Sequence, residues 1–180
     1  MEQNRLPEHT EPAAAPKKKH TAKEYAITFF VKLAVTAAVV FLLLRFVAGV
    51  YVCHDNASYP MIKDGDLCVT FRPEPLRQGD EIAFRQDGRI RFGRVIAFAG
   101  ETVDIRSGTV TVDGYDLQEN AVYATDAEHS EITFPYGVPE GCVFLLNDNR
   151  NDISDSRCCG GIPEKDSQGK IIFIMRRRGI

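Results

Sequence analysis

Apolar residues dominate one early part of this chain. From Ala26 to Val52 they are almost continuous, interrupted by Lys32 and Arg45, and no amphipathic stripe separates one helix face from another. A helix of 27 residues is about 40 Å long, enough to cross a hydrocarbon layer of roughly 30 Å. The pattern predicts a transmembrane helix over 26–52, with the two charged side chains reaching towards opposite surfaces. A buried core helix or an uncleaved export signal is the alternative interpretation.

After Val52 the apolar residues alternate with polar ones or come in short, β-branched bursts separated by turn dipeptides. Asp87-Gly88 between two such bursts indicates a β-hairpin. The predicted strands are at 67–71, 81–84, 90–98, 102–105, 109–112, 142–146 and 171–175. We therefore predict a mainly β fold, an antiparallel domain over 53–180, with longer irregular stretches at 117–139 and 147–170.

Charges around the apolar run predict its orientation. Lys17, Lys18, Lys19 and Lys23 precede it, and the positive-inside rule then keeps the N-terminus in the cytoplasm. Residues 1–25 contain proline, alanine and charge without periodicity, which predicts a disordered cytoplasmic tail. The expected location is a bacterial plasma membrane, crossed once, with the domain over 53–180 extracytoplasmic and membrane lipid as a partner.

Composition excludes several functions. The whole chain carries 22 basic and 25 acidic residues, and the domain over 53–180 carries 15 against 21, so there is no basic stripe for nucleic acid. Five cysteines are an odd number, so at least one is unpaired within the chain, and the vicinal Cys158-Cys159 could bridge each other only with strain. No cysteine or histidine spacing matches a metal site. We predict no nucleic-acid partner, no metal and no cofactor.

Four motifs follow the apolar run in a specific order. The first is Tyr59-Pro60-Met61-Ile62-Lys63-Asp64-Gly65-Asp66, the second Gly79-Asp80-Glu81-Ile82-Ala83-Phe84, the third Arg94-Val95-Ile96-Ala97, and the last Asp148-Asn149-Arg150 followed by Asp155-Ser156-Arg157 and Gly160. In this order and spacing they resemble the type I signal peptidase family, from about Ala26 to the C-terminus. That family consists of membrane-tethered serine proteases that cut export signals on the outer face. The resemblance implies the β fold that they share with LexA-type self-cleaving repressors.

The resemblance also implies where the reacting groups should be. In the family, a nucleophilic serine lies three residues before the proline of the first motif. A lysine directly before Arg-Val of the third motif is the base, and only a lysine whose pKa is lowered by burial can take the hydroxyl proton. A further serine in the last motif orients that amine. Here those positions hold Ala57, Gly93 and Ile153, and Asn147 replaces the leading glycine of the last motif. No catalytic group of the family is intact.

Neighbouring residues could replace the missing groups. Ser58 adjoins the nucleophile position, but a step of one residue in extended chain turns a side chain to the opposite face. Arg91 and Arg94 are unsuitable as bases, because a guanidinium stays protonated. Lys63 is unsuitable because it should be solvated and charged in a turn. His54 has a suitable pKa, but nothing in the sequence brings it to Ser58.

Two further groups of residues are candidates for binding or structure. Ser58, Tyr59 and Pro60 are the predicted substrate-binding residues. The last motif predicts a structural ion-pair network, with a solvated loop or a divalent-cation loop as alternatives. Its members are Asp148, Asn149, Arg150, Asp155, Ser156 and Arg157.

The leading functional hypothesis is a signal peptidase I homologue that does not cleave. Losing both nucleophile and base costs a serine protease about 10⁶ in turnover. The partner would be an exported polypeptide or an assembly enzyme, such as a pilin or the enzyme that assembles it, because degenerate members that accompany surface-pilus systems show a similar pattern. An active signal peptidase that removes signal peptides with Ser58 as nucleophile is the alternative. A degenerate structural protein without a ligand is a third hypothesis.

Overall fold

The computed structural model describes residues 21–118 and 124–177. A long helix, α1, runs from Ala22 to Phe46. Its start is capped, since the Thr21 amide donates a hydrogen bond to Glu24 Oε2 at 3.0 Å. A window of 18 residues within α1 has a mean hydropathy of 2.5, and none of the helix side chains is buried. The helix is long and apolar enough to cross a membrane.

The boundaries of α1 differ from those predicted. The chain becomes a strand, β1 (Ala48–Val52), which pairs antiparallel with β2 (Leu67–Phe71). The expectation of helix up to Val52 is therefore wrong at this end, because an unbroken apolar run does not distinguish helix from strand. At the other end the helix already includes residues 22–25 of the predicted tail, whose residues 1–20 lie outside the described part.

The remaining elements complete a mainly β domain and confirm the predicted fold class. A short helix, α2, spans Ser156–Cys159, and a 3₁₀ turn spans Glu164–Asp166. The other strands are β3 (Glu81–Gln86), β4 (Arg89–Phe98), β5 (Thr102–Arg106), β6 (Thr109–Val112), β7 (Tyr115–Asp116), β8 (Tyr136–Gly137), β9 (Cys142–Leu146), β10 (Ile162–Pro163) and β11 (Ser167–Met175). Each predicted strand is present. The stretches predicted to be irregular contain the short elements β8, α2 and β10 and the beginning of β11.

The strands form two antiparallel sheets. The larger has the order β1-β2-β11-β3-β4-β9-β10, and the smaller has the order β7-β6-β5-β8. β3 and β4 form the predicted hairpin, with φ of 51° at Asp87 and 75° at Gly88. Both values lie in the left-handed region that a tight hairpin turn requires. This hairpin places the second motif directly beside the third.

Two parts of the core support the motifs. Residues of β4 and β9 pack against the smaller sheet in one apolar cluster, which includes Ile96, Phe144 and Val103. A second cluster lies beneath the first motif and contains Cys53, Ile62, Cys68, Ala83, Phe92 and Ile171. Ile62 therefore fixes the C-terminal side of the first motif to the larger sheet.

Arg72, which directly follows β2, connects the end of α1 to this sheet. Its guanidinium Nη1 donates hydrogen bonds to the carbonyls of Leu44 at 3.1 Å, Arg45 at 3.3 Å and Ala48 at 2.8 Å. The Arg72 amide also donates to Val47 O at 2.9 Å. The last carbonyls of a helix lack partners within it, and a cation there is favourable. Val47 is the one residue between α1 and β1.

One face of β1, β2 and β11 leaves apolar side chains exposed. Cross-strand pairing aligns Val50, Val69 and Phe173 in one row and Val52, Leu67 and Met175 in the next. The outer members of these rows are exposed by 41% to 58%. Such a patch on a sheet is typical of a surface that contacts another apolar body.

Candidate functional site

The turn of the first motif is joined to the last motif through Ala57. The Ala57 carbonyl accepts a hydrogen bond from the Asn149 amide at 2.9 Å. The Ala57 amide donates to Asp55 Oδ1 at 3.1 Å. The Ala57 methyl group is 5% exposed. The nucleophile position of the family is thus a small, nearly buried side chain in a turn with a defined backbone conformation.

Ser58 points into the protein and faces a carboxyl group. It is fully buried, and its neighbour is Glu81 on β3, which is also buried. The serine hydroxyl is close enough to lower the pKa of the Glu81 carboxyl. Among the described residues, however, neither Ser58 Oγ nor either Glu81 oxygen has a partner in hydrogen-bond geometry. Ser58 therefore lacks the neutral amine or imidazole that a nucleophilic serine needs.

Burial dominates the electrostatics of Glu81. The pKa of this carboxyl is raised from 4.5 to about 8, mainly by burial and also by the Asp148 carboxylate, while Arg94, Ser58 and Arg150 lower it. The Arg94 guanidinium lies 3.5 Å from Glu81 Oε2. Glu81 is therefore largely protonated at neutral pH. Sequence reasoning missed it, although a glutamate at the head of the apolar run Ile82-Ala83-Phe84 was a usable signal.

Arg94 links the third motif, to which it belongs, to the other three. It binds both oxygens of Asp148, with Nε to Oδ1 at 2.7 Å and Nη2 to Oδ2 at 2.5 Å. It also donates to Gly79 O at 2.7 Å and contacts Met61 Sδ at 3.2 Å. Because its guanidinium is committed to these contacts and remains charged, Arg94 cannot act as a base.

Gly93 replaces the expected lysine on β4, and the space beside it is filled. A Cβ atom built on Gly93 would lie 3.4 Å from Phe84 Cε1 and 3.5 Å from Leu145 Cβ, which are ordinary van der Waals distances. Ile153, at the orienting-serine position, is half-buried, and its carbonyl accepts the Asp155 amide at 2.8 Å. The neighbours of Gly93 on this side are thus Phe84 and Leu145.

The last motif contains a buried hydrogen-bonded network. Arg157 and Asp155, both essentially inaccessible, form an ion pair at 2.8 Å. Arg157 also donates to the carbonyls of Arg150 at 2.8 Å and Asp152 at 2.6 Å. Ser156 Oγ accepts the Leu145 amide at 2.9 Å, and Asp155 Oδ2 accepts the Asn147 amide at 2.9 Å. These contacts fasten the loop to β9.

The other candidate residues lie at the surface. His54, Tyr59, Pro60 and Lys63 are exposed, and the Lys63 ammonium lies 5.2 Å from the centre of the Tyr59 ring. A cation at this distance is attracted by the aromatic face. Tyr59 and Pro60 are thus available to a ligand, whereas the buried Ser58 between them and Ala57 is not.

The cysteines are present as thiols. Cys53 and Cys68 are buried, and burial raises their pKa values to about 11 and about 12 respectively. Cys142 and Cys158 are half-buried, and Cys159 is exposed. Within residues 21–118 and 124–177, no group of histidine, cysteine and acidic residues has the arrangement of a metal site.

A cavity with a volume of about 730 Å³ lies beside the motif residues. Pro60, Arg94, Asp148 and Arg150 line one side. Residues of β6 and β7 with the chain that follows them, including Tyr115, line another. Ala57, Ser58 and Gly93 do not line it, so this space is adjacent to the positions of the family's reacting groups and does not contain them.

An apolar helix long enough to cross a membrane, followed by an antiparallel β domain in which contacts of Arg94 join the four motifs, fits the signal peptidase class. The family model for signal peptidase, peptidase S26, matches residues 26–176. The chain therefore belongs to the signal peptidase I family.

Several known proteins are similar to it. A probable signal peptidase I-1 from Synechocystis sp. is 32% identical over 159 residues, which cover 79% of each chain. Signal peptidase I from Bacillus caldolyticus is 27% identical over 77% of this chain and 85% of its own. A crystal structure of a signal peptidase I from Enterococcus faecalis V583 is 30% identical, with a TM-score of 0.47, over 55% of this chain and 98% of that chain.

Proposed function

We propose that this chain is a signal peptidase I homologue that binds exported polypeptides without cleaving them. The observation that carries the proposal is the pair Ala57 and Gly93 at the nucleophile and base positions. A methyl group and a hydrogen atom can neither attack a carbonyl nor accept a proton. Without both groups, turnover should fall by about 10⁶ relative to an intact serine protease.

The geometry around Ser58 supports the same conclusion. A nucleophile has to touch the substrate, but Ser58 is fully buried and its neighbour is a carboxyl group that is mostly protonated at neutral pH. Lys170 offers no substitute base. Lys170 on β11 donates to Asp80, which raises its ammonium pKa and keeps it charged.

The proposed partners are an exported precursor and, as the finer hypothesis, a pilin or its assembly enzyme. Known signal peptidases of this family act on exported precursors, and exposed Tyr59 and Pro60 could contact an extended peptide beside the last motif. The pilin hypothesis rests on the likeness to degenerate members associated with surface pili. The structure adds the exposed apolar face of β1, β2 and β11, which supports contact with membrane lipid.

We further propose one membrane crossing by α1, with the N-terminal tail in the cytoplasm and the β domain on the outer face of a bacterial plasma membrane. The four lysines before the apolar run support this orientation. An extracytoplasmic domain would meet exported chains as they leave the membrane.

A cleavage assay tests the absence of activity. The detergent-solubilised full chain is incubated with a signal-peptide precursor and with a precursor mutated at its cleavage site, beside a competent signal peptidase in the same detergent. We expect binding of the precursor and no cleavage above background. Cleavage at the correct site that is lost in Ser58→Ala, or an adduct of a serine-directed inhibitor on Ser58, would instead establish the active peptidase.

A further inference from the structure

Glu81 is a buried carboxyl group at the junction of four segments, and the proposed function does not use it. Its side chain lies between Ser58, which directly precedes the first motif, Arg94 of β4, and Asp148 and Arg150 of the last motif. The negative charge of ionised Glu81 also raises the pKa of the Cys68 thiol on β2. The nearest charged residue on β11, Lys170, is already bound by Asp80 at 2.8 Å. Within residues 21–118 and 124–177, the charged groups that act on Glu81 come from β4 and the last motif.

The net charge of the cluster that Glu81 forms with Arg94, Asp148 and Arg150 depends on whether Glu81 carries its proton. Asp148 occupies the Nε–Nη2 edge of the Arg94 guanidinium, and Nη2 lies at the longer distance of 3.5 Å from Glu81 Oε2. When Glu81 is protonated, the two carboxyl groups share this guanidinium without repulsion. When Glu81 is ionised, a second anion is buried beside Asp148, with neither of its oxygens in a regular hydrogen bond among the described residues.

The wall of the cluster that is least firmly held is the turn with Ser58. β3 is paired on both sides, with β4 and with β11, so its backbone cannot easily move. The turn is connected to the last motif mainly by the Asn149 amide on Ala57 O, and its tip at Tyr59 and Pro60 is exposed. Water can therefore reach an ionised Glu81 most directly by displacing Ser58.

We propose that Ser58, Glu81, Arg94 and Asp148 form a proton-linked switch, in which protonated Glu81 keeps the first-motif turn docked and loss of that proton releases it. In the docked state the Ser58 hydroxyl lies against a neutral carboxyl group. On deprotonation the proton passes to solvent, the carboxylate becomes hydrated, and the turn moves away from β3.

The raised pKa of Glu81 determines how the stability of the folded protein changes with pH. Glu81 binds its proton more tightly in the folded protein, so its contribution to stability is complete below the ordinary glutamate pKa of 4.5 and is lost as pH rises through about 8. The switch therefore operates between weakly acidic and mildly alkaline pH.

Thermal unfolding of the full chain in detergent micelles tests the link. Between pH 5 and pH 9 the wild-type Tm should fall by about 10 °C, and Glu81→Gln, which cannot ionise, should remove most of that fall. Ser58→Ala removes a group that favours the ionised form, and should move the midpoint of the transition to higher pH. Asp148→Asn removes the repelling carboxylate, and should move the midpoint to lower pH.

A local measurement separates release of the turn from general destabilisation. The amides of Tyr59 and Ile62 donate to Asn56 O and Ser58 O within the turn. Their hydrogen-exchange protection should drop at pH 9 relative to pH 6 in the wild type and remain constant in Glu81→Gln. The amides that pair β5 with β6 are the internal control and should keep their protection in both proteins.

The outcomes are decisive in both directions. Each of three results would overturn the switch. The first is an equal fall of Tm with pH in wild type and Glu81→Gln, and the second is a shift of the pH midpoint in the same direction in Ser58→Ala and Asp148→Asn. The third is unchanged hydrogen-exchange protection of the Tyr59 and Ile62 amides. These measurements need no ligand, so they do not depend on the proposed function. Only the consequence that precursor binding weakens above pH 8 rests on that function, and a binding titration tests it separately.

Discussion

Ala57 and Gly93 lie at the predicted positions of the nucleophile and the base, and the structure leaves room at Gly93 for a Cβ atom. A Cβ atom there would meet Phe84 and Leu145 at 3.4 Å and 3.5 Å, within ordinary contact distance. Gly93 also lies on β4 in a conformation without positive φ. A Cβ atom at Gly93 therefore should not require the strands to move.

The double variant Ala57→Ser with Gly93→Lys tests whether the scaffold still supports catalysis. We expect precursor cleavage at least about 10²-fold above the wild-type background, the contribution typical of a positioned base. Each single variant should remain inactive, because nucleophile and base act as a unit. A double variant that folds and binds precursor but stays inactive would show that the site has diverged beyond these two positions.

At the same scale, the sequence predicted which groups are missing but not which groups replaced them. The alignment with Pro60 and Arg94-Val95 located Ala57 and Gly93. It could not show that Ser58 meets Glu81, because these residues come together only when the first-motif turn packs on β3. The sequence shows a carboxyl group, Glu81, at the head of an apolar run, but it does not show that Ser58 lies beside it.

Among the secondary-structure elements, the long strands were predictable and the short ones were not. β3, β4, β5 and β6 alternate buried and exposed positions or carry turn dipeptides, which are local signals. β8 and β10 contain two residues each and exist because a neighbouring strand is available for pairing. β1 was assigned to the helix because its apolar composition continues that of α1.

The loop between β9 and α2 allows a prediction at the scale of elements. Arg157→Ala removes a fully buried cation and leaves Asp155 unpaired, which should cost about 3–5 kcal/mol in the free energy of unfolding. Urea unfolding followed by circular dichroism measures this. Arg106→Ala is the matched control, since the Arg106 side chain that pairs with Asp104 is exposed, and should change stability by less than about 1 kcal/mol. Equal effects of the two substitutions would contradict a buried network.

For the whole molecule, the proposed topology can be measured with a cysteine that the chain already has. Cys159 is exposed on the β domain, so a membrane-impermeant maleimide added to intact cells should label it. Cys159→Ser should remove most of the label. In a chain that carries both Cys159→Ser and Thr10→Cys, the new cysteine should react only after lysis. Labelling of Cys159 only after lysis would place the domain in the cytoplasm.

Arg72 ties the end of α1 to the strand that precedes Arg72. One residue, Val47, separates α1 from β1, and consecutive Cα atoms are about 3.8 Å apart. The Arg72 guanidinium also donates to the carbonyls of Leu44, Arg45 and Ala48. Removing this guanidinium would therefore leave three carbonyls at the helix-to-strand junction without their shared donor.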